Sequence, residues 1–257
     1  MDFSVFKNKY FIEGELIVLT ALHIGSGKEE AEHDAPFMSE DGNYYIPGSS
    51  FRGYMRTKLE RFLLDKNNFK FKDKNTQDTL NMADVLLLFG YTNLFAEDKN
   101  VNEIENRLEE KLRFKKEERK NFSSMAGRIH IEDMPIISEV HSVRRDGIKI
   151  SRDTGATEAG AKFDYDIIPA GSKFKFSIEL ENIEAYQLDL IALVLKDIYD
   201  EGDLFGGKLS RGIGRCKLEK LKVQYVDKSN LKKYIFENEK TDMNKDFFSF
   251  SNLELID

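Results

Sequence analysis

The pattern of hydrophobic and polar residues predicts four strands and two helices in the order strand, helix, strand, strand, helix, strand. Aromatic and β-branched residues or a period of two indicate the strands, and apolar residues three and four apart indicate the helices. The predicted strands are 10–20, 127–133, 174–180 and 216–225, and the predicted helices are 49–64 and 184–200. This order is that of a ferredoxin-like or RRM-like (βαββαβ) core, an α+β arrangement that RNA-recognition domains share.

Three segments depart from this pattern, within what we interpret as a single domain. Residues 65–127 are rich in Asn, Lys, Asp and Glu, with predicted helices near 82–90 and over 101–120, and we interpret them as a helical insertion or lid. Residues 135–170 contain little core material and predict a protruding hairpin. No element is predicted for the C-terminal tail, 227–257.

Composition bounds the class of protein. Hydrophobic residues make up 40% and charged residues 33% of 257 residues, with no apolar run long enough to span a membrane. The first residues lack the basic and apolar regions of a signal peptide. Cys216 is the only cysteine, which excludes an intrachain disulfide and a thiolate zinc site. We therefore expect a cytoplasmic protein with no membrane partner.

The formal net charge of −7 is unevenly distributed. Residues 52–61, 141–152 and 202–217 each carry a local charge of +3, so the remaining chain holds −16. A local positive stripe on an acidic protein can still follow a phosphate backbone. The total charge therefore does not exclude RNA or DNA as a partner.

The first of these basic stretches opens a predicted helix. Pro47-Gly48 predicts a turn, after which Ser49 or Ser50 is expected to accept a bond from the free N–H groups of the helix start. With Arg52 in the first turn, this is a suitable site for an anion. Taken alone, the stretch fits a capped helix with solvated arginines better than an anion site.

The last basic stretch is a glycine-rich loop between a predicted helix and strand. Its glycines allow close approach of the backbone to a ligand, while Lys208, Ser210 and Arg211 can donate to phosphate. A flexible connection is the alternative interpretation. The glycine spacing matches neither a dinucleotide fingerprint nor a P-loop, which disfavours NAD and ATP. The glycines are Gly202, Gly206, Gly207, Gly212 and Gly214.

Together, Ile-Pro-Gly-Ser-Ser-Phe-Arg-Gly from Ile46 and Gly-Gly-Lys-Leu-Ser-Arg-Gly-Ile-Gly-Arg from Gly206 resemble the RAMP superfamily of CRISPR–Cas proteins. Within it, the Asp34-Ala35-Pro36 step resembles the repeated backbone subunit of type III effector complexes, the Cas-seven family. Residues 150–157, with the Phe163-Asp164-Tyr165 segment and 168–171, are similar to the thumb of such subunits. The resemblance covers about residues 10–225.

The resemblance implies a subunit that binds guide CRISPR RNA and target RNA, beside other Cas subunits and copies of itself along the guide. It implies a thumb that wedges into the guide–target duplex. The expected RNA-binding residues are Ser49, Ser50, Arg52, Arg56, Arg144, Arg145, Arg152, Gly207, Lys208, Ser210, Arg211 and Gly212.

For target-cleaving members, the resemblance implies a loop aspartate that supports metal-dependent cutting, and Asp34 is the matching position. A carboxylate suits Mg²⁺ or another divalent ion beside a scissile phosphate. Asp34 is thus the candidate catalytic residue and metal ligand, although most such aspartates are turn residues.

Three further interpretations stay open at this point. The chain fits a non-catalytic RAMP scaffold in which Asp34 is only a turn residue. It also fits a RAMP endoribonuclease that processes precursor guide RNA with His23 or His33 as a general base. Metal dependence separates the last of these from target cutting, since histidine-based cleavage proceeds in chelator. A small-molecule enzyme is the least supported, since no pocket signature is present.

Overall fold

The computed structural model describes residues 5–26, 36–64, 69–92, 106, 108, 111 and 124–256, with backbone alone at 149 and 158–162. Its strands are β1 (Asn8–Val18), β2 (Ser39–Glu40), β3 (Asn43–Ile46), β4 (Lys70–Asp73), β5 (Gly90–Thr92), β6 (Ser124–Ala126), β7 (Ile129–Ile131), β8 (Met134–Pro135), β9 (Val143–Ile150), β10 (Thr157–Ile167), β11 (Lys173–Glu181), β12 (Asp203–Leu204), β13 (Arg215–Asp227), β14 (Thr241–Asp242) and β15 (Leu253–Ile256). Its α-helices are α1 (Gly48–Phe62), α2 (Met82–Phe89), α3 (Ala185–Asp200) and α4 (Leu231–Glu237). Across these ranges, no helix combines the length and the hydropathy that crossing a membrane requires.

The central sheet has the strand order of a ferredoxin-like core. Its strands run β12-β13-β1-β11-β7, every pair is antiparallel, and β14 pairs with β13. Helix α1 lies between β1 and β7 in the chain, and α3 lies between β11 and β13. With β1, β7, β11 and β13 as the first to fourth core strands, their order in the sheet is 4-1-3-2. The predicted α+β, βαββαβ fold class is confirmed.

The core lies between one face of this sheet and the helices. Phe51, Met55 and Leu59, spaced four apart on α1, are fully buried, as the periodicity predicted. They pack in one cluster with Phe176 of β11 and Leu195 of α3. Burying each such side chain contributes about 1.5–3 kcal/mol, so this face alone holds α1 firmly on the sheet.

The other face of the sheet carries ion pairs instead of exposed aromatic rings. Lys9 Nζ lies 2.7 Å from Glu179, and Lys220 Nζ lies 2.8 Å from Glu15. Phe11 is on this face but only 6% exposed, with Lys240 Nζ 3.7 Å from its ring centroid. RNA-recognition domains stack bases on aromatic residues of the sheet, and the described sheet face of this chain offers no such platform.

The region predicted as an insertion contributes to the core. In α2, Val85, Leu88 and Phe89 belong to the main cluster, and Asn81 caps the helix in a capping box with Asp84. Most of the helix predicted over 101–120 lies outside the described residues.

The C-terminal tail, for which no element was predicted, folds back onto the core. Its last strand, β15, pairs with β4, and Asn252 N donates to Asp189 of α3 at 2.7 Å. Phe247 is 1% exposed. The tail therefore closes one side of the hydrophobic core.

The predicted hairpin corresponds to β9 and β10, which pair antiparallel. The expectation that 135–170 holds little core material is wrong for the end of β10 and the residue after it. Tyr165, Ile167 and Ile168 are 5%, 3% and 0% exposed, because the base of the hairpin packs against the sheet. By contrast, Ile148 of β9 is 55% exposed.

Candidate nucleic-acid interface

An open cleft of about 840 Å³ lies between α1 and the glycine-rich loop. The two stretches that the sequence singled out thus form opposite walls of one groove, although about 150 residues separate them. On the loop side, Gly206 and Gly207 line the cleft without side chains, so a ligand can reach the backbone. The other residues in the walls are Ile24, Gly25, Ser50, Gly53, Tyr54, Thr57, Lys58, Arg61, Phe62, Asp197, Asp203, Leu204, Phe205 and Leu209.

The α1 wall is a ridge of small polar residues. Ser50, Gly53 and Thr57 follow each other three and four residues apart, which places them on one helix face, and Arg61 extends the row. This row suits a sugar–phosphate chain, which needs close approach and hydrogen-bond donors. Gly53 allows the close approach, and the two hydroxyls and the guanidinium are the donors. Ser49 is exposed and lies outside the walls.

The start of α1 already holds an anion from the chain itself. Pro47 is the N-cap residue and makes no side-chain cap, so the expected cap by Ser49 or Ser50 is wrong. Gly48 N donates to Asp133 Oδ1 at 2.7 Å. The carboxylate occupies the place that a phosphate would take at the first N–H group, because the β7–β8 turn brings it there.

The arginines of α1 have partners within the chain. Arg52 donates to the Phe89 carbonyl at the end of α2, and its guanidinium lies over the Phe89 ring. Arg56 Nε pairs with Glu60 at 2.8 Å, one helical turn further on. Neither residue is among those lining the cleft. Their assignment as RNA contacts stays a prediction, and binding would have to compete with these contacts.

A polar cluster fixes the glycine loop to α1. The Tyr54 hydroxyl donates to Asp203 Oδ2 at 2.6 Å, and Lys58 Nζ lies 2.7 Å from the same oxygen and 2.8 Å from Asp197. Partial burial acts to raise the pKa of Asp203, but the hydrogen bonds from Lys58 and Tyr54 outweigh it and hold the pKa below its ordinary value. The two walls of the cleft are therefore held together by a charged hydrogen-bond network.

The glycine loop takes a backbone path that few side chains allow. Lys208 and Gly212 flank a one-turn 3₁₀ helix, Leu209–Arg211, with φ of 57° and 76°. At Gly206, with φ of 95°, a Cβ would lie 2.8 Å from the His23 carbonyl oxygen. Gly206 therefore serves close packing against the segment that follows β1 as well as access to the cleft. Ser210 and Gly212 are exposed on the outer side of the turn.

Lys208 and Arg211 lie over aromatic rings of the hairpin. Lys208 Nζ is 4.7 Å from the Tyr165 ring centroid, and Arg211 Cζ is 4.7 Å from that of Phe163. The two rings stack at 6.4 Å with an interplanar angle of 19°. The loop and the hairpin, both predicted to bind RNA, thus touch each other through cation–π contacts.

His23 is a structural residue at the back of the loop. It is 5% exposed, and its Nδ1 donates to the Asp166 carbonyl at 2.7 Å. Burial lowers the pKa of His23 below its ordinary value, against the opposite effect of this hydrogen bond. A general base must reach the 2′-hydroxyl of its substrate, and the burial of the His23 ring argues against that role.

Residues 15–217 match the RAMP superfamily. The chain belongs to this superfamily. The membership predicted from the helix start and the glycine loop is confirmed, and the match covers both walls of the cleft.

Two named relatives support the same placement of this RAMP chain. It is 26% identical over 238 residues to the CRISPR system Cms endoribonuclease Csm3 of Methanocaldococcus jannaschii, covering 87% of this chain and 84% of the relative. It is 42% identical over 60 residues to the protein of the same name from Methanothermobacter thermautotrophicus, covering 21% and 24% of the two chains.

The loop with the candidate catalytic residue leaves the RAMP core beside the cleft. Asp34 and His33 lie outside the described residues, but both ends of their loop are described. Ser26 N donates to the Pro36 carbonyl at 3.2 Å, and Gly25 bridges Phe37. Gly25 also lines the cleft, so the loop begins at the edge of the cleft. Among the described residues, no group of three His, Cys, Asp or Glu side chains could hold a metal.

The hairpin arginines lie apart from the cleft of the RAMP chain. Arg144, Arg145 and Arg152 are exposed, and Arg144 Nε lies 3.7 Å from Asp164. None of the three is among the residues of the cleft walls. If they bind RNA, they do so on the hairpin surface.

Sequence reasoning missed Thr57, Tyr54 and Asp203 as parts of the interface. The spacing of Ser50, Gly53 and Thr57 could have predicted the α1 wall, because residues three and four apart share one helix face and these three are small. Asp203 gave no such signal, because its partners on α1 are distant in sequence.

Proposed function

We propose that this RAMP chain is a guide-RNA-binding backbone subunit of a type III CRISPR effector complex and cleaves target RNA. The observation that carries the proposal is the cleft, in which the α1 ridge and the glycine loop face each other. The names of the two relatives add endoribonuclease activity to this assignment. Copies of the chain would follow each other along the guide, beside other Cas subunits, in the cytoplasm.

In this proposal the cleft holds the guide backbone. Ser50, Thr57 and Arg61 donate to phosphates from one wall, and the backbone at Gly207 approaches from the other. Contacts of this kind carry no base information, which suits a subunit that must accept any guide sequence. Affinity for RNA should therefore fall steeply with salt and vary little with sequence.

Thr57→Glu tests the cleft directly. A carboxylate on the ridge repels phosphate, so we expect at least about a tenfold loss of affinity for a labelled single-stranded RNA at low salt. Thr241→Glu is the matched control, because Thr241 is exposed on β14, outside the cleft walls, and the change in net charge is the same. Equal affinities of the two variants would exclude the cleft as the guide path.

For the chemistry, we propose that Asp34 holds Mg²⁺ or another divalent ion at the scissile phosphate. Such an ion, when bound, stabilises the charge that develops on the phosphate and activates the attacking hydroxyl. The base of the loop at Ser26 and Pro36 lies next to Gly25, at the cleft edge, which would bring a target paired to the guide within reach of the loop.

The test uses assembled complex and labelled target RNA, with and without Mg²⁺. Asp34→Ala should lower cutting by orders of magnitude, at about 1.4 kcal/mol for each factor of ten, while assembly and guide binding stay at wild-type levels. Glu32→Ala, two residues earlier in the loop, is the matched control and should cut normally.

Two outcomes would replace this proposal. Undiminished cutting by Asp34→Ala would assign the chain as a scaffold. Cutting of precursor guide RNA that persists in chelator and disappears in His33→Ala would assign it as a processing enzyme.

A further inference from the structure

We propose that Phe163 and Tyr165 of the hairpin are positioning residues for RNA binding, which hold Lys208 and Arg211 of the glycine loop ready for phosphate. This inference rests on the proposed function, because it assumes that the glycine loop binds an RNA backbone. It adds that part of the hairpin acts through the loop, without touching RNA.

The first argument is how these two cations differ from the cations of α1. Arg56 and Lys58 are paired with carboxylates, which accept their N–H donors. Within the described part of the chain, no carboxylate lies within ion-pair distance of Lys208 or Arg211, and ring faces hold both. A ring face attracts the positive charge but leaves the donors of the ammonium and guanidinium groups available. These cations are therefore fixed in place and still able to bind phosphate.

The second argument is the rigidity of the ring pair. Tyr165 is 5% exposed in a small cluster with Ile167 and Ile213, and the His23 ring meets it edge-on at 5.5 Å. Phe163 stacks on Tyr165. A cation held on such an anchored surface loses little further side-chain entropy on binding, which raises its contribution to affinity.

The third argument excludes direct stacking of RNA bases on these rings. Tyr165 is too deeply buried to offer a face to a base. Phe163 is half-buried and lies against Gly147 of β9, where a Cβ would be only 2.3 Å from its Cζ. With Gly147 against the ring and Arg211 over it, Phe163 is already in contact with protein. Its effect on RNA must then pass through the cation.

The experiment titrates labelled single-stranded RNA into the full-length chain over a range of salt concentrations. Phe163→Leu keeps an apolar side chain and removes the ring face. We expect about twofold to fivefold weaker binding, from the usual strength of an exposed cation–π contact. The slope of log affinity against log salt should fall by up to about 0.7, the value of one phosphate contact to a single strand. Phe163→Tyr, which retains the ring, should bind as wild type.

Two further variants separate positioning from a merely structural role. Gly147→Ala should displace the Phe163 ring, because the added Cβ would lie 2.3 Å from its Cζ, and should reproduce the loss of affinity without touching a cation. In a background that carries both Lys208→Ala and Arg211→Ala, Phe163→Leu should have no further effect, because both cations that lie over its ring are absent. Thermal unfolding of each variant verifies that the fold is retained.

The inference is overturned if Arg211→Ala weakens binding while Phe163→Leu and Gly147→Ala do not, and the proposed function then survives. It is also overturned if the effect of Phe163→Leu persists in the background with both Lys208→Ala and Arg211→Ala, with an unchanged salt slope, which would indicate direct stacking. If neither Lys208→Ala nor Arg211→Ala changes affinity, the role of the glycine loop in the proposed function fails together with this inference.

Discussion

The carboxylate of Asp203 accepts a hydrogen bond from the hydroxyl of Tyr54 at 2.6 Å. The contact joins the strand that begins the glycine loop to the helix that carries the other wall of the cleft. Lys58, whose side chain is only 13% exposed, shares the same carboxylate oxygen. The width of the cleft is therefore set by a partly buried polar network as well as by hydrophobic packing.

Removing this carboxylate should destabilise the fold. In Asp203→Ala the Tyr54 hydroxyl and the Lys58 ammonium lose a partner that they share, and we expect a loss of about 1–3 kcal/mol in the free energy of unfolding. Urea denaturation measures the loss. Glu237→Ala, an exposed change at the end of α4, is the control and should stay within about 0.5 kcal/mol of wild type. If Asp203→Ala leaves the free energy of unfolding unchanged, the network does not hold the walls together.

The same group predicts a dependence on acid. The pKa of Asp203 in the folded chain is below its ordinary value of 3.8, so its stabilisation is present above that value and is lost as the pH falls through the folded pKa. The difference in unfolding free energy between wild type and Asp203→Asn should thus shrink below about pH 4. A difference that stays constant from pH 7 to pH 3 would contradict this.

His23 predicts a second pH effect at higher pH. Its pKa in the folded chain is below the ordinary 6.5 because the ring is buried, so protonation favours the unfolded state. The free energy of unfolding should have its full value above pH 6.5. Below that pH it should fall by up to about 1.4 kcal/mol per pH unit, until the pH reaches the pKa of His23 in the folded chain. His23→Gln should remove this slope between pH 7 and pH 5, whereas His141→Gln, on the exposed surface, should retain it. Thermal unfolding midpoints across this range give the comparison.

The two glycines of α1 should respond oppositely to alanine. At Gly48 a Cβ would lie 2.2 Å from the Ile131 carbonyl oxygen, and backbone cannot yield cheaply, so Gly48→Ala should destabilise by several kcal/mol or prevent folding. At Gly53 no atom lies within 4 Å of the added carbon. Gly53→Ala should raise stability by about 0.5–1 kcal/mol, since alanine is the better helix former. Urea denaturation of both variants measures the two changes in stability. If the two changes are equal, Gly48 does not pack against β7.

The tail predicts a further contrast between two phenylalanines. Phe247→Ala should cost about 3–5 kcal/mol, because that ring is 1% exposed in the main core. Phe236→Ala, where the ring is 76% exposed on α4, should change stability by no more than about 0.5 kcal/mol. If Phe247→Ala is equally mild, the tail is not part of the core.

The elements of the core could be predicted from local sequence patterns, whereas contacts between residues distant in sequence could not. The alternation in Phe174-Lys175-Phe176 and the spacing of Phe51 and Met55 predicted elements whose bounds agree with the structure within a few residues. The cap of α1 was misassigned because its partner, Asp133, is 85 residues away. Adjacent serines offered a local explanation that the fold did not use.

In the candidate site, too, local features could be predicted from the sequence and distant contacts could not. The glycine loop was recognised from its own residues, whereas the Arg56–Glu60 pair was not predicted although the two residues are four apart on one helix. The burial of His23 was not recognisable, because the strand that covers it, β10, lies more than a hundred residues later and was assigned to a protruding hairpin. Burial depends on which segments of the chain pack together, and the hydrophobic period of a segment does not show this.

The base of the loop that bears Asp34 has a consequence for how such a chain can change. At this base, two backbone hydrogen bonds, from Ser26 N to the Pro36 carbonyl and from Met38 N to the Ile24 carbonyl, flank the bridge of Gly25 to Phe37. Because the cost of closing a loop grows only slowly with its length, residues can be exchanged, added or lost above this base with little cost to the fold. The cleft and the residue that we propose cuts RNA can then change as separate modules, the first constrained by its shape and the second free to gain, adjust or lose chemistry.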